Sequence, residues 1–172
     1  MTKPRPQRLN LQSVDLKGQQ IVGLNFSFAD LTGSLLKYAT FTDCIFSSAI
    51  LNQIDATGIS FISCKINEVT IQDSSLAGCV ITSADLNRID LSGSDLSDAS
   101  MVGVNFREAN LTGVTAVRAD FRDAYLAEAE LTGANLSGAI FDGADLRAAD
   151  LREALLDGAS FEGANLRLTT FD

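Results

Sequence analysis

The sequence predicts an all-β solenoid, a square parallel β-helix of about eight four-sided coils spanning residues 9–172. Three observations predict it. Every fifth residue from Leu11 to Phe171 is apolar, 33 positions without a break, and all but Ala56 and Ala116 are Leu, Ile, Phe or Met. Like residues recur at spacing 20, as in Phe26/Phe46, Phe41/Phe61 and Phe121/Phe141/Phe161, and Leu-Thr-Gly begins at Leu31, Leu111 and Leu131. Neither ordinary period accommodates the five-residue step. On an α-helix it would rotate the apolar residue through about 500° per repeat and spread it over every face. On a flat strand an odd step alternates faces. A chain that turns one corner per repeat keeps every fifth residue inside, and a 20-residue coil then has four sides.

Residues 1–8 carry both prolines, Pro4 and Pro6, with Lys3, Arg5 and Arg8, and are expected to form a polar cap or a disordered segment. They lack the apolar run of a signal peptide. From Leu9 onward each pentad has the same grammar around its apolar centre. Two residues before the centre the side chain is small or apolar, and it is alanine ten times running from Ala119 to Ala164. Where the centre shrinks to Ala56 or Ala116, that partner grows to Ile54 or Val114, roughly conserving core volume. The residue just before the centre is Asp or Asn in 15 repeats, and all 13 glycines stand two residues after a centre. Asx side chains bond nearby backbone and glycine permits positive φ, so both suit corners. Since most corners lack glycine, positive φ is not expected at all of them.

Composition limits the chemistry. The 172 residues include no histidine, which removes the commonest general base and metal ligand. Cys44, Cys64 and Cys79 all lie two residues before a centre, where a buried free thiol serves as a small core residue. Acid pairs such as Asp95/Asp98 and Asp142/Asp145 match no calcium-loop spacing and read as corner residues. A convex rod is expected to offer no cleft. The net charge of −9 disfavours a phosphate-backbone binder. No apolar run reaches the length of a membrane span.

The string Ala-Asp-Leu-Arg-Ala at 144–148 and Ala-Asn-Leu-Thr-Gly at 109–113 resemble the A(D/N)LXX motif of the pentapeptide repeat family. The resemblance extends over essentially the whole chain. It implies a right-handed quadrilateral β-helix of a bacterial type. With no targeting segment visible, a cytoplasmic address is the default; no catalytic residue, cofactor or metal is expected, and the expected action is protein–protein interaction. Some family members that confer quinolone resistance resemble B-form DNA and occupy the DNA site of gyrase, which makes a gyrase- or topoisomerase-directed DNA mimic the alternative.

Charge distribution indicates where either function would act. Residues 1–80 hold six basic and six acidic side chains, whereas residues 81–172 hold seven Arg and sixteen acids. In that half the side centred on Leu91, Leu111, Leu131, Leu151 and Phe171 is the most acidic, through Asp90, Glu130, Asp150, Glu153 and Asp172 against Arg152. These five acids are the candidate interaction surface, for an unidentified protein partner or for gyrase. Phe171, on the last coil, is the candidate contact for end-to-end homodimerisation.

Overall fold

The computed structural model describes residues 9–82 and 84–172, and the expected cap over residues 1–8 lies outside them. The chain winds as a parallel solenoid with a fixed step of 20 residues. Bridges run Asn10↔Asp30, Asp30↔Ile50 and onward to Asp150↔Thr170 on one side, with equivalent series on the other three. One side carries the only longer strands among the described residues: β1 (Gln20–Val22), β2 (Thr40–Thr42), β3 (Ser60–Ile62) and β4 (Val80–Thr82), paired in parallel in that order.

The odd step works because each pentad divides into a three-residue side and a two-residue corner. Successive side chains on the side alternate faces. The residue two before the centre and the centre itself therefore point inward, and the residue between them points outward. Ala129 and Leu131 are buried while Glu130 is exposed. The corner is in most coils a hydrogen-bonded turn, as where the N–H of Ala129 donates to the carbonyl of Leu126 at 3.1 Å. Ile54 and Val114 are buried beside Ala56 and Ala116, as the volume exchange requires.

The corners depart from the sequence expectation. The residue two after the centre has φ between 50° and 71° at every described corner, including 18 that are not glycine. Where the corner is a hydrogen-bonded turn, positive φ confined to the third of its four residues gives the type II pattern. Closing a square coil in five residues demands this backbone whatever side chain is present. At one corner glycine makes room for a ring from the preceding coil. At Gly58 an added Cβ would meet the Tyr38 ring at 2.5 Å.

Hydrogen-bond bookkeeping explains the Asp/Asn preference. In the pentad of Leu131, the N–H of Leu131 reaches Asp150 O at 2.8 Å, that of Gly133 reaches Arg152 O at 2.9 Å, and that of Glu130 reaches Ala109 O at 2.9 Å. Those ladders and the turn leave one N–H per pentad, just after the centre. Each of the 15 Asp and Asn residues preceding a centre accepts that N–H through Oδ1, at 2.9–3.3 Å.

Three buried serines, Ser34, Ser74 and Ser94, follow a related rule on one side of the coil. The Ser94 hydroxyl donates to Ile71 O at 2.6 Å and accepts from Ser74 N at 3.1 Å, and so stands between the two groups that elsewhere bond directly to close the turn. Ser74 bridges Leu51 O and Ile54 N in the same way, at 3.2 Å each. Ser94→Ala would strand a buried donor and a buried acceptor. It is expected to cost about 1–3 kcal/mol, read as a lower urea midpoint at unchanged slope.

The core is a set of like-on-like columns. Phe26/Phe46 and Phe41/Phe61 stack at 4.9 and 5.5 Å, with Phe41 edge-on to Phe46. Phe121/Phe141/Phe161 form a second column at 5.0 and 5.1 Å. Beside β1 and β2 the β-branched Val22 and Thr42 favour extended backbone and the corner bond is not made. The carbonyls of Ile21 and Phe41 instead receive the thiols of Cys44 and Cys64, at 3.6 and 3.3 Å.

Candidate interaction surface

The acidic side is built from the outward residues of one face and its corner. Its members differ in how much charge they offer. Asp90 accepts from Ser92 N at 3.0 Å and from the side-chain amides of Gln72 and Asn110 at 2.7 and 3.2 Å, so it is tied into the coils on either side. Asp150 is gripped by the Arg152 guanidinium, with Nη2–Oδ2 at 2.5 Å. The Arg152 side chain, then the Arg152 N–H, hold its carboxyl down at about 2. Glu130 is exposed between them. Glu153 and Asp172 are exposed and joined by a 2.8 Å bond from Glu153 N to Asp172 Oδ2. Glu130, Asp150, Glu153 and Asp172 thus lie in neighbouring coils, while Asp90 is set apart from Glu130 by the neutral Asn110. Phe171 is 42% exposed on the last coil, where Leu166 is exposed and Phe161 is partly buried.

Pairing of charge extends over the whole second half. Six of its seven arginines enter ion pairs: Arg88–Glu108, Arg107–Glu128, Arg118–Asp98, Arg122–Asp120, Arg147–Asp145 and Arg152–Asp150. Several of these arginines stand two residues after their acid and bond the same carboxylate that caps the corner. Hydrogen bonding from arginine holds Asp98, Glu108, Asp120 and Asp145 below the ordinary carboxylate range. Asp95 and Asp142, read as solvated corner acids, are also engaged: Asp95 accepts from Ser97 N, and Asp142 from Glu162 N and the Ser160 hydroxyl.

The depressed carboxyls fix a sign for pH dependence. A folded-state pKa below the unfolded value stabilises fully above the unfolded value and is lost as pH falls through the folded one. For Asp150 that window runs from 3.8 down to about 2. Wild type is therefore expected to lose more stability between those pH values than Arg152→Met, measured by thermal unfolding across the range.

The expectation of a convex rod without a cleft is modified around Ala127. The outward column just after the centres reads Arg107, Ala127, Arg147 and Arg167, one residue per coil. Where its neighbours are long, Ala127 leaves a gap. Arg107 leans toward Glu128 at 2.7 Å, while Arg147 leans the other way onto Asp145 at 2.6 Å. The result is two shallow recesses at the corner that share Arg107, Ala127 and Arg147, with Ala127 itself buried. Tyr125 and Asn105 line one recess, Ala148 and Leu168 the other. The signal was present in the sequence as a lone alanine between arginines at spacing 20.

Cys44, Cys64 and Cys79 are buried free thiols. Burial pushes Cys64 up to about 11 and Cys79 up to about 12, which makes both poor nucleophiles at neutral pH. Among the described residues no group of three His, Cys, Asp or Glu could hold a metal ion, and no helix is long and apolar enough to cross a membrane.

Comparison with known proteins agrees with this geometry. The family model described as pentapeptide repeats matches in eight copies, over residues 10–47, 25–61, 74–113, 105–143, 117–152 and 141–172. No curated protein matches the sequence. Among solved structures, a trypsin-treated form of QnrB1, a plasmid-mediated fluoroquinolone resistance protein, is similar at a TM-score of 0.60 and 18% identity, over 95% of this chain and 86% of that one. Full-length QnrB1 gives 0.52 and 20% identity over 96% and 92% of the two chains. At such identity the likeness concerns the fold, a right-handed quadrilateral β-helix. The matched repeats cover most of the chain, which belongs to the pentapeptide repeat family.

Proposed function

We propose that the chain is a non-enzymatic protein-interaction module that acts in the cytoplasm by displaying side chains on a stiff four-sided rod. One observation supports this above others: the inward residues and the Asp or Asn caps specify the fold, which leaves the remaining outward residues of each side free to carry their own pattern. In the second half, the side of Leu131 is strongly acidic, while the side of Leu126 carries Arg88, Arg107, Arg147 and Arg167 against four acids. The test replaces the outward residues of one side at a time, keeping the Asp and Asn caps, and measures both thermal midpoint and partner capture from the native host. Loss of capture from one side only, at an unchanged midpoint, is expected. Capture no better than a mock bait, or equal loss from all four sides, would count against the reading.

A gyrase-directed DNA mimic is the second reading, supported by the fold shared with a fluoroquinolone resistance protein. Duplex DNA carries one charge per about 1.7 Å, or about 13 over the roughly 22 Å of residues 81–172. After pairing with arginine, ten of the sixteen acids in that stretch remain outside ion pairs among the described residues, spread over all four sides. Residues 1–80 have no net charge to add. The charge density favours interaction through one face over wholesale imitation of a duplex.

A further inference from the structure

We infer that the chain assembles head to tail, the last coil of one copy stacking on the first coil of a second copy and continuing the solenoid. Apolar residues are open at both ends. In the last coil the inward Leu156, Phe161 and Ala164 are half-buried, and Leu166 and Phe171 are exposed, although their counterparts in the inner coils are buried. In the first coil Leu11, Val14, Leu16 and Ile21 are half-buried, and Leu9 and Leu24 are exposed. An open apolar cross-section of this kind is what a capping repeat covers in other solenoids.

Backbone polarity says which end meets which. Between inner coils each pentad sends two N–H groups forward and receives one in return. Leu131 N and Gly133 N donate to Asp150 O and Arg152 O, and Asp150 N donates back to Ala129 O at 3.0 Å. The C-terminal edge therefore shows two donors and one acceptor per side, and the N-terminal edge shows the converse. In the last coil the N–H groups of Leu156, Gly158, Phe161, Gly163, Leu166 and Leu168 meet no acceptor among the described residues. Stacked head to tail, the two edges complete the parallel ladders that join any two inner coils. Two C-terminal ends face to face would set a surplus of donors against a surplus of donors.

Charge points the same way. The first twenty residues carry Lys3, Arg5, Arg8 and Lys17 against Asp15, a side-chain net of +3. The last twenty carry Glu153, Asp157, Glu162 and Asp172 against Arg167, a net of −3. Unlike ends attract at a seam shorter than the Debye length, and like ends repel. Phe171 thus meets the first coil of a second copy, not a second Phe171. The inward pattern is alike on all four sides, so the seam has only to fall on a whole pentad. A coaxial head-to-tail contact does not close into a ring, and it yields open filaments with a repeat of about 40 Å per copy.

The test blocks one end at a time, with Leu24→Glu in the first coil and Leu166→Glu in the last, each at a residue already exposed. Sedimentation velocity follows the full chain from micromolar to millimolar concentration. Wild type is expected to grow past the dimer without a plateau, and each variant alone to stay monomeric. An equimolar mixture of the two should stop at the dimer, because one open first coil and one open last coil remain. Dimerisation of Leu24→Glu alone would mean tail-to-tail contact, and of Leu166→Glu alone head-to-head contact; either would overturn the inference. So would a wild type that stays monomeric or stops at the dimer, or a mixture that stays monomeric. Should an end variant fail to fold, Lys3→Glu, Arg5→Glu and Arg8→Glu together, which touch no pentad centre from Leu11 onward, give both ends the same sign. Their association at low salt is expected to fall about tenfold or more, with the difference narrowing at high salt, and unchanged association would refute the head-to-tail seam. Failure here leaves the side-by-side capture experiment to decide the interaction reading, which does not depend on the ends.

Discussion

Phe121→Ala is expected to destabilise the chain by about 3–5 kcal/mol, the largest effect of any single truncation proposed for this fold. Phe121 is fully buried, stacked on Phe141 at 5.0 Å and edge-on to Phe106 at 5.9 Å. In a solenoid each coil is held chiefly by its neighbours, so a void at one level weakens two coil interfaces at once. The core there has no way to collapse, because the square backbone is fixed by hydrogen-bonded ladders on all four sides. Tyr125→Ala, which truncates an aromatic that is 57% exposed, is the control and should shift stability by only about 0.5 kcal/mol. Equal urea midpoints for the two variants would refute the column picture.

Ala144→Leu and Ala134→Leu are expected to destabilise by about 1–3 kcal/mol each through overpacking. Both alanines are completely buried, beside Leu146 and Leu136, which are also completely buried. In the second half most sides are filled by one large and one small side chain, unlike Ile59/Phe61 and Ile89/Leu91, and the two pentads that reverse the order, with Ile54 beside Ala56 and Val114 beside Ala116, remain as tightly closed. Ala134→Leu combined with Leu136→Ala imitates that reversal and should recover part of the loss. Denaturation midpoints for both single variants equal to wild type would contradict the packing rule.

Much of the fold was legible in the sequence because its cause is short-range and repeated. Leu131 must be inside, and 20 residues separate like from like, so the coil follows. The corner backbone was not legible. Glu68, Arg88 and Leu168 hold φ near 60° although nothing in their chemistry calls for it, since the demand comes from closure of the coil. The charged surface was only half legible. Asp150 and Arg152 are visible as neighbours in the sequence, but that one arginine bonds the same carboxylate that caps the corner depends on the turn placing both on one edge. The candidate residues Asp90 and Asp150 accordingly serve the fold as well as any partner. The two recesses beside Ala127 were missed because they arise at a side chain that is too short, which no motif records.

This double role dictates how the choice between interaction module and gyrase mimic should be tested. Charge reversal at Asp90 or Asp150 would remove a corner cap as well as a charge. Asp90→Asn, Glu130→Gln and Asp150→Asn together keep the Oδ1 acceptors, as the natural asparagines at Asn110 and Asn135 do, and delete three negative charges. The direct measurement is a gyrase supercoiling assay, with and without a fluoroquinolone, of the wild-type chain and this triple variant. An interaction module acting through one face of the rod should leave supercoiling and drug sensitivity unchanged in both. Inhibition or drug protection by wild type that the triple variant loses would contradict it and establish the acidic half as a DNA mimic.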